Sequence, residues 1–230
     1  MKFVELADAV RREGGISGGR ITTCQIDRVG ELDRVINWVK DTWRDLQTTY
    51  PNWQFLFCEA SHPIPQYTGV IYPPEFQARQ VADWSACSFR IAPAGQGRHR
   101  SDPIWPENYR HFRECMIDPP GRYGRPDRLA IHPRGESVHL SPAADKEYEL
   151  FYDYWRVPQE LIEDDDEPLM PERFHMLIVW DALYRYGGYE VAPDVLDRAS
   201  LRSQQLMSAL IHDQLPKLST ASLREDYGWW

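Results

Sequence analysis

The sequence predicts an α+β fold: a helical bundle formed by the N- and C-terminal segments, with an inserted antiparallel β-sandwich-like domain. Near both ends, apolar residues recur every three or four positions, as in amphipathic helices. The middle contains short alternating runs separated by prolines, which is typical of half-buried strands and turns. The expected boundaries are 1–51 and 157–216 for the helical bundle, 52–156 for the β domain and 217–230 for an extended tail.

The N-terminal half of the predicted bundle contains two helices. The first covers residues 3–12, and the glycine-rich stretch 14–19 interrupts the pattern after it. The second runs from about Gly30 to Thr49, and Pro51 ends it because a proline disfavours helix in the residue before it. One apolar stripe of this second helix consists of Val35, Ile36, Val39, Trp43 and Leu46.

The C-terminal half of the bundle is predicted to start near Pro171, since proline suits the first turn of a helix. Gly187-Gly188 predicts a break. A last long helix is expected from Pro193 until Pro216 stops it.

Four segments in the middle have strand composition: residues 53–57, 85–91, 137–140 and 148–154. The prolines and glycines between them predict long loops and turns. The stretch Gly95-Gln96-Gly97-Arg98 lacks the lysine and hydroxyl residue of a phosphate-binding loop, so we interpret it as a turn.

The composition of the chain argues against some classes of function. The chain has 230 residues, a formal net charge of -9 and nine tryptophans. An excess of acids disfavours tight nonspecific binding of nucleic acid, which requires basic patches. Large aromatic side chains usually lie in cores or at interfaces. No apolar run reaches the length of a membrane span and the N-terminus lacks the apolar region of a signal peptide, so we expect no membrane partner and a cytoplasmic location before assembly.

The residues that bear chemistry form no signature of a catalytic or metal site. Four cysteines lie about thirty residues apart, without the paired spacing of zinc ligands, and the seven histidines are scattered. We expect no enzyme activity, no catalytic residue, no metal and no cofactor. A small hydrolase with a Cys–His pair stays open as an alternative, because such partners can be distant in sequence. The acidic run 163–167 predicts a solvated loop, with a cation at an interface as the alternative.

Aromatic residues give the strongest candidates for partner binding. Trp38 and Trp43 lie on the second helix, where core packing and contact between subunits are both open. Tyr227, Trp229 and Trp230 follow a polar stretch with no local core to join, which favours docking against a partner or a neighbouring subunit. Folding back onto the chain and disorder are the alternatives for these three residues.

Three blocks resemble phage head-to-tail adaptor proteins. Residues 143–158 resemble their final strand, which is rich in tyrosine and ends in a basic residue, one more residue and proline. Residues 165–183 are similar to their acid-Pro-x-x-Pro-x-x-Phe-His linker and helix. Residues 35–47, followed by 53–56, are similar to their first long helix and its exit, whereas residues 60–135 have no counterpart.

The resemblance implies a structural role in the virion neck. It implies a homo-oligomeric ring, a dodecamer, that binds the portal protein on one side and the tail or nozzle protein on the other. DNA is then only passing cargo, and the net negative charge lets the duplex pass with little attraction. Contacts within the ring fall on residues 35–47 and 174–183, and residues 217–230 reach the portal. A tail-completion or tail-terminator protein is the structural alternative.

Overall fold

A computed structural model describes residues 1–25, 30–84, 88–115 and 122–215. The chain divides into two compact units. We call the described part of Met1–Leu56 and Pro158–Trp230 the helical unit, and Phe57–Val157 the β unit. Helices together with sheets whose strands are mainly antiparallel confirm the predicted α+β class. The predicted tail, 217–230, lies outside the described residues.

The elements follow one another as helices, strands and helices. The α-helices are α1 (Phe3–Glu13), α2 (Glu31–Thr49), α3 (Pro74–Gln77), α4 (Tyr109–Cys115), α5 (His175–Glu190) and α6 (Pro193–Gln214). The strands are β1 (Phe57–Ile64), β2 (Val70–Ile71), β3 (Val81–Trp84), β4 (Arg90–Pro93), β5 (Asp102–Pro103), β6 (Trp105–Pro106), β7 (Tyr123–Gly124), β8 (Arg128–Ile131), β9 (Val138–Ser141), β10 (Ala143–Ala144) and β11 (Tyr148–Arg156). Short 3-10 helices cover Gln54–Leu56, Arg98–Arg100 and Glu172–Phe174.

Helix α5 lies at the centre of the helical unit and packs against α1, α2 and α6. The apolar stripes predicted from sequence face this core. Its fully buried side chains include Phe3, Leu6 and Val10 on α1, Val35, Val39 and Trp43 on α2, and Leu177, Ile178 and Leu183 on α5. Burial of each large apolar side chain contributes about 1.5–3 kcal/mol, so these helices are held mainly by their packing.

The predicted break at Gly187-Gly188 is wrong, because α5 continues to Glu190. Gly187 lies where α6 crosses closely: a Cβ atom there would lie 3.0 Å from Leu196 Cγ. Glycine at this position therefore permits close helix packing and does not end the helix. The residue that follows the helix, Val191, has left-handed backbone angles (φ 55°, ψ 44°) and is 81% exposed.

The strand predicted over residues 53–57 is also wrong, since a 3-10 helix covers Gln54–Leu56 and β1 begins at Phe57. Trp53 is fully buried, and its indole N–H donates to the carbonyl oxygen of Leu46 at 2.9 Å. Packing against α2 therefore overrides the strand composition of this segment. The strands predicted at 137–140 and 148–154 are confirmed as β9 and β11, whereas residues 85–87 of the segment 85–91 lie outside the described residues.

Strand β11 is the centre of the larger sheet of the β unit. On one side it pairs with β1, antiparallel and without a register shift, from Phe57↔Trp155 to Ile64↔Tyr148. On its other side it pairs with β4 and, further along, with β3. A smaller sheet has the order β2-β9-β8-β6, and both sheets contribute side chains to one core. The inserted domain thus has sandwich-like packing.

Two short pairings depart from the expected antiparallel pattern, because β6–β8 and β7–β10 are parallel. Each joins a two-residue segment to a strand without a hairpin, so no tight turn fixes the chain direction. The predicted turn at 95–98 is confirmed: Gly95 and Gly97 have φ values of 82° and 72°, which favour glycine.

We predict opposite effects for alanine at the two adjacent glycines of α5. Gly187→Ala should lower the free energy of unfolding by about 1–3 kcal/mol, because the methyl group overlaps Leu196. Gly188→Ala should raise it by about 0.5–1 kcal/mol, because a Cβ atom at this exposed helical position has no neighbour within 4 Å. Urea unfolding followed by circular dichroism measures both, and equal effects would contradict the close α5–α6 contact.

We also predict that His175 makes stability depend on pH. The side chain is 3% exposed and its Nε2–H donates to the carbonyl oxygen of Met170 at 2.9 Å. Burial lowers the pKa of His175 below its usual 6.5, so the folded chain binds fewer protons than the unfolded chain. This contribution is complete above pH 6.5 and is lost as the pH falls below it.

The free energy of unfolding, measured from neutral to mildly acidic pH, should therefore fall less steeply in His175→Gln than in the unmodified chain. The unmodified chain is the reference because burial also lowers the pKa of His62 and His139 in the β unit. An unchanged pH dependence in the variant would show that His175 has the same pKa in the folded and the unfolded chain.

Candidate interaction surfaces

An aromatic cluster lies between α2 and the C-terminal end of α5. The Trp38 ring is 6.0 Å from the Tyr186 ring and 5.8 Å from the Tyr189 ring, measured between centroids. The Arg34 guanidinium lies 4.4 Å from the Tyr189 ring centroid and also donates to the Tyr189 hydroxyl. We call these four residues, Arg34, Trp38, Tyr186 and Tyr189, the aromatic surface.

Helical spacing places the four residues together. Arg34 and Trp38 are four positions apart on α2, and Tyr186 and Tyr189 are three positions apart on α5, so each pair shares one face of its helix. The buried stripe of α2, which includes Val35 and Val39, packs toward the core and leaves Trp38 on its flank. The aromatic surface therefore depends on the α2–α5 packing beneath it.

The composition and exposure of the aromatic surface suit protein recognition. Tyr189 is 51% exposed, and Trp38 and Tyr186 are half-buried. Burial raises the pKa of the Tyr186 hydroxyl, and the nearby acidic groups of Glu31 and Glu190 raise it further. Tryptophan, tyrosine and arginine are the residue types most often found as energetic anchors of interfaces. A partner that covers this surface would bury large apolar area while the polar tips keep hydrogen-bonding capacity.

Trp43, the other predicted candidate on α2, is fully buried within the helical unit. Its ring stacks on Phe55 at 5.9 Å, and Phe55 stacks on Trp53 at 5.4 Å. In this structure Trp43 therefore contributes to packing inside the chain and holds α2 in place. Tyr227, Trp229 and Trp230, the remaining candidates, lie outside the described residues.

Sequence reasoning missed Arg34, Tyr186 and Tyr189 as candidates for partner binding. The incorrect break at Gly187-Gly188 placed Tyr189 outside the helix, and so concealed its helical spacing from Tyr186. Arg34 belongs to no motif that marks it in the sequence. Two features of the sequence could have indicated this surface. One is the Tyr-x-x-Tyr spacing at 186–189, and the other is Trp38 beside the apolar stripe of α2.

The acidic run 163–167 is largely engaged by its own chain. Asp164 Oδ1 accepts the backbone N–H of Cys24 at 2.5 Å, and Asp165 pairs with the Lys2 ammonium at 2.7 Å. Asp166 Oδ2 accepts two backbone N–H groups of the same loop, each at 2.7 Å. In the parts of the chain that the structure describes, no cluster of three or more His, Cys, Asp or Glu residues is arranged to hold a metal ion.

Cysteine and histidine approach each other at one described position. Cys115 Sγ lies 3.6 Å from His111 Nδ1, one turn apart on α4, and both residues are exposed. Cys24 is buried, Cys58 is partly buried, and Cys87 lies outside the described residues. Among the described helices, none is both long and apolar enough to cross a bilayer.

Comparison with known proteins identifies a family for the chain. No curated protein matches the chain. The family model described as SU10 adaptor protein matches residues 1–226, which include the whole β unit and nearly all of the chain around it. With a match of this extent, and with the three sequence blocks typical of phage head-to-tail adaptors, the chain belongs to the SU10 adaptor protein family.

Proposed function

We propose that this adaptor closes into a ring in the virion neck, binds the portal protein on one side and joins it to the tail or nozzle protein on the other. The observation that carries the proposal is the family match across both units. The resemblance described above implies twelve copies. The proposed role is structural and requires neither a catalytic step nor a cofactor.

The aromatic surface supports the ring. A closed ring of identical copies requires each copy to present two different faces, one to each neighbour. Arg34, Trp38 and Tyr189 supply anchor residues for one such face. They lie on α2 and α5, which pack against each other in the helical unit. We therefore propose the aromatic surface as a contact between neighbouring copies. Trp43 is buried within each copy, where it packs against Phe55.

The charge of the chain suits a conduit through which DNA passes. The formal net charge is -9, and most of the acidic excess lies in the helical unit, whereas the β unit is close to charge balance. A ring that repeats this net negative charge is poorly suited to displace the counterions of DNA phosphates, which requires clustered Lys and Arg side chains. A basic channel surface that retains DNA would contradict this part of the proposal.

Separate pull-downs with purified portal protein and purified tail protein test the proposed partners. An adaptor should bind both, each through a different side of the ring. A chain that binds the tail protein and not the portal would instead be a tail-completion or tail-terminator protein, and the proposal would be wrong.

We predict that Trp38→Ala with Tyr189→Ala weakens association between copies while each copy remains folded. Truncation of interface anchors typically costs about 2 kcal/mol or more, so the dissociation constant between copies should rise by at least about tenfold. Tyr184→Ala is the matched control, because Tyr184 lies on the same helix and is 49% exposed, close to the 51% of Tyr189. Sedimentation velocity with circular dichroism measures assembly and folding, and equal assembly of both variants would remove the aromatic surface from the ring contact.

We further predict that deletion of residues 219–230 weakens portal binding and leaves the fold intact, since the proposed anchors Tyr227, Trp229 and Trp230 are then absent. Trp229→Ala with Trp230→Ala should reproduce the loss, whereas Ser219→Ala with Ser222→Ala, in the same segment, should not. Unchanged co-purification of the deletion variant with the portal protein would refute the role of the tail.

A further inference from the structure

Strand β1 leaves one long edge of the larger sheet open. Its eight residues, Phe57–Ile64, all pair with β11 on one side. On the other side, no described residue hydrogen-bonds to its backbone. Antiparallel strands send successive N–H and C=O pairs to alternate sides, so β1 presents a row of unpaired donors and acceptors along this edge.

The features that normally protect a free edge are scarce on β1. Its register with β11 is unshifted over all eight pairs, so no bulge twists the strand away. It contains neither lysine nor arginine, and its proline, Pro63, lies next to its last residue. The one carboxylate, on Glu59, is 3.5 Å from Arg98, which also pairs with Asp153 at 2.5 Å. Such an edge is a ready template for another strand.

The core of the β unit is also incompletely covered at this edge. Cys58, Ala60 and His62 alternate with exposed residues, and all three are only partly buried. Their partners on β11 are far better covered: Tyr154 is 6% exposed, and Tyr152 and Leu150 are 0% exposed. A further strand alongside β1 would complete the burial of this row.

We propose that the free edge of β1 receives an extended segment of a different protein of the neck, which adds a strand to the sheet. This inference rests on the proposed adaptor function. The incoming segment binds β1 through backbone hydrogen bonds, a mode of recognition known as strand addition. Every second side chain of the incoming segment should be small and apolar, because it lies beside Cys58 and Ala60 and covers the open core.

A second copy of this chain is a poor donor of that strand. In the parts of the chain that the structure describes, the other strands with a free edge are much shorter than β1. Strand β3 has four residues and a register shift beside it, and β2 and β5 have two residues each. None of these matches the eight residues of β1. Pairing of β1 with β1 of a second copy would be two-fold symmetric and would close a dimer, which does not continue around a ring. We therefore assign the donor strand to a different polypeptide.

Hydrogen–deuterium exchange tests the inference on the assembled chain. In the isolated ring, the outward amides of residues 57–62 should exchange rapidly. Addition of purified portal protein or purified tail protein, each alone, should slow them by about tenfold or more with one of the two. Residues 81–84 of β3 serve as the internal control and should not change. Slow exchange already in the isolated ring would assign the strand to a second copy, and unchanged exchange with both proteins would also overturn the inference.

Proline substitution gives an independent test. Adjacent positions of β1 direct their N–H groups to opposite sides, so only one of Glu59→Pro and Ala60→Pro removes a bond to β11. The variant that stays folded lacks an outward donor, and its binding to the protein that protects β1 should fall at least about tenfold. Glu59→Ala, which removes the Glu59–Arg98 pair and keeps the backbone donor, should bind as the unmodified chain does.

These outcomes separate the inference from the proposed function. A folded proline variant that forms the ring and binds both neighbouring proteins normally would refute strand addition and leave the adaptor function intact. If both proline variants unfold, the exchange experiment decides. Absence of a ring in the unmodified chain would instead count against the proposed function itself.

Discussion

Burial of helix α5 is the interaction on which the helical unit depends. Its apolar residues face three other helices at once, and Leu177, Ile178 and Ala182 are fully buried. This packing holds Tyr186 and Tyr189 beside α2, so the aromatic surface exists only while α5 is in place. The same constraint explains Gly187, because a Cβ atom there would lie only 3.0 Å from Leu196 of α6. The stability of the helical unit and the proposed contact surface therefore depend on the same helix.

Much of the fold could be predicted from local sequence patterns. The wrong predictions fall where tertiary contacts determine the secondary structure. The apolar stripes placed α1, α2 and α6 within a few residues, and alternation found β9 and β11. Gly187-Gly188 looked like a break because its role is a contact with another helix, which sequence spacing does not reveal. The segment around Trp53 has strand composition but lies against α2, where burial of the indole outweighs propensity. Trp38 could be identified as a candidate from the sequence, because it lies beside the apolar stripe of α2. Tyr189 could be identified only with the correct end of α5, at Glu190.

In the β unit, alternation of side chains identifies strands but not their neighbours. Strands β1 and β11 are similarly long, yet β11 is paired on both sides and β1 on one. That difference depends on the order of strands in the sheet. The order results from pairing between segments that are distant in the sequence. The open edge of β1 and the exposed aromatic surface of the helical unit have the same physical meaning: each leaves interaction capacity unused within one copy. A chain with two such surfaces, one in each unit, suits a protein that works between several partners.

Electron microscopy of the purified neck tests the central claim most directly. The account predicts a closed ring of this chain between the portal and the tail, with twelvefold rotational order and with the residues of the aromatic surface at the contact between neighbouring copies. A neck in which the chain is present as a single copy, or in which it contacts neither the portal nor the tail protein, would contradict the account.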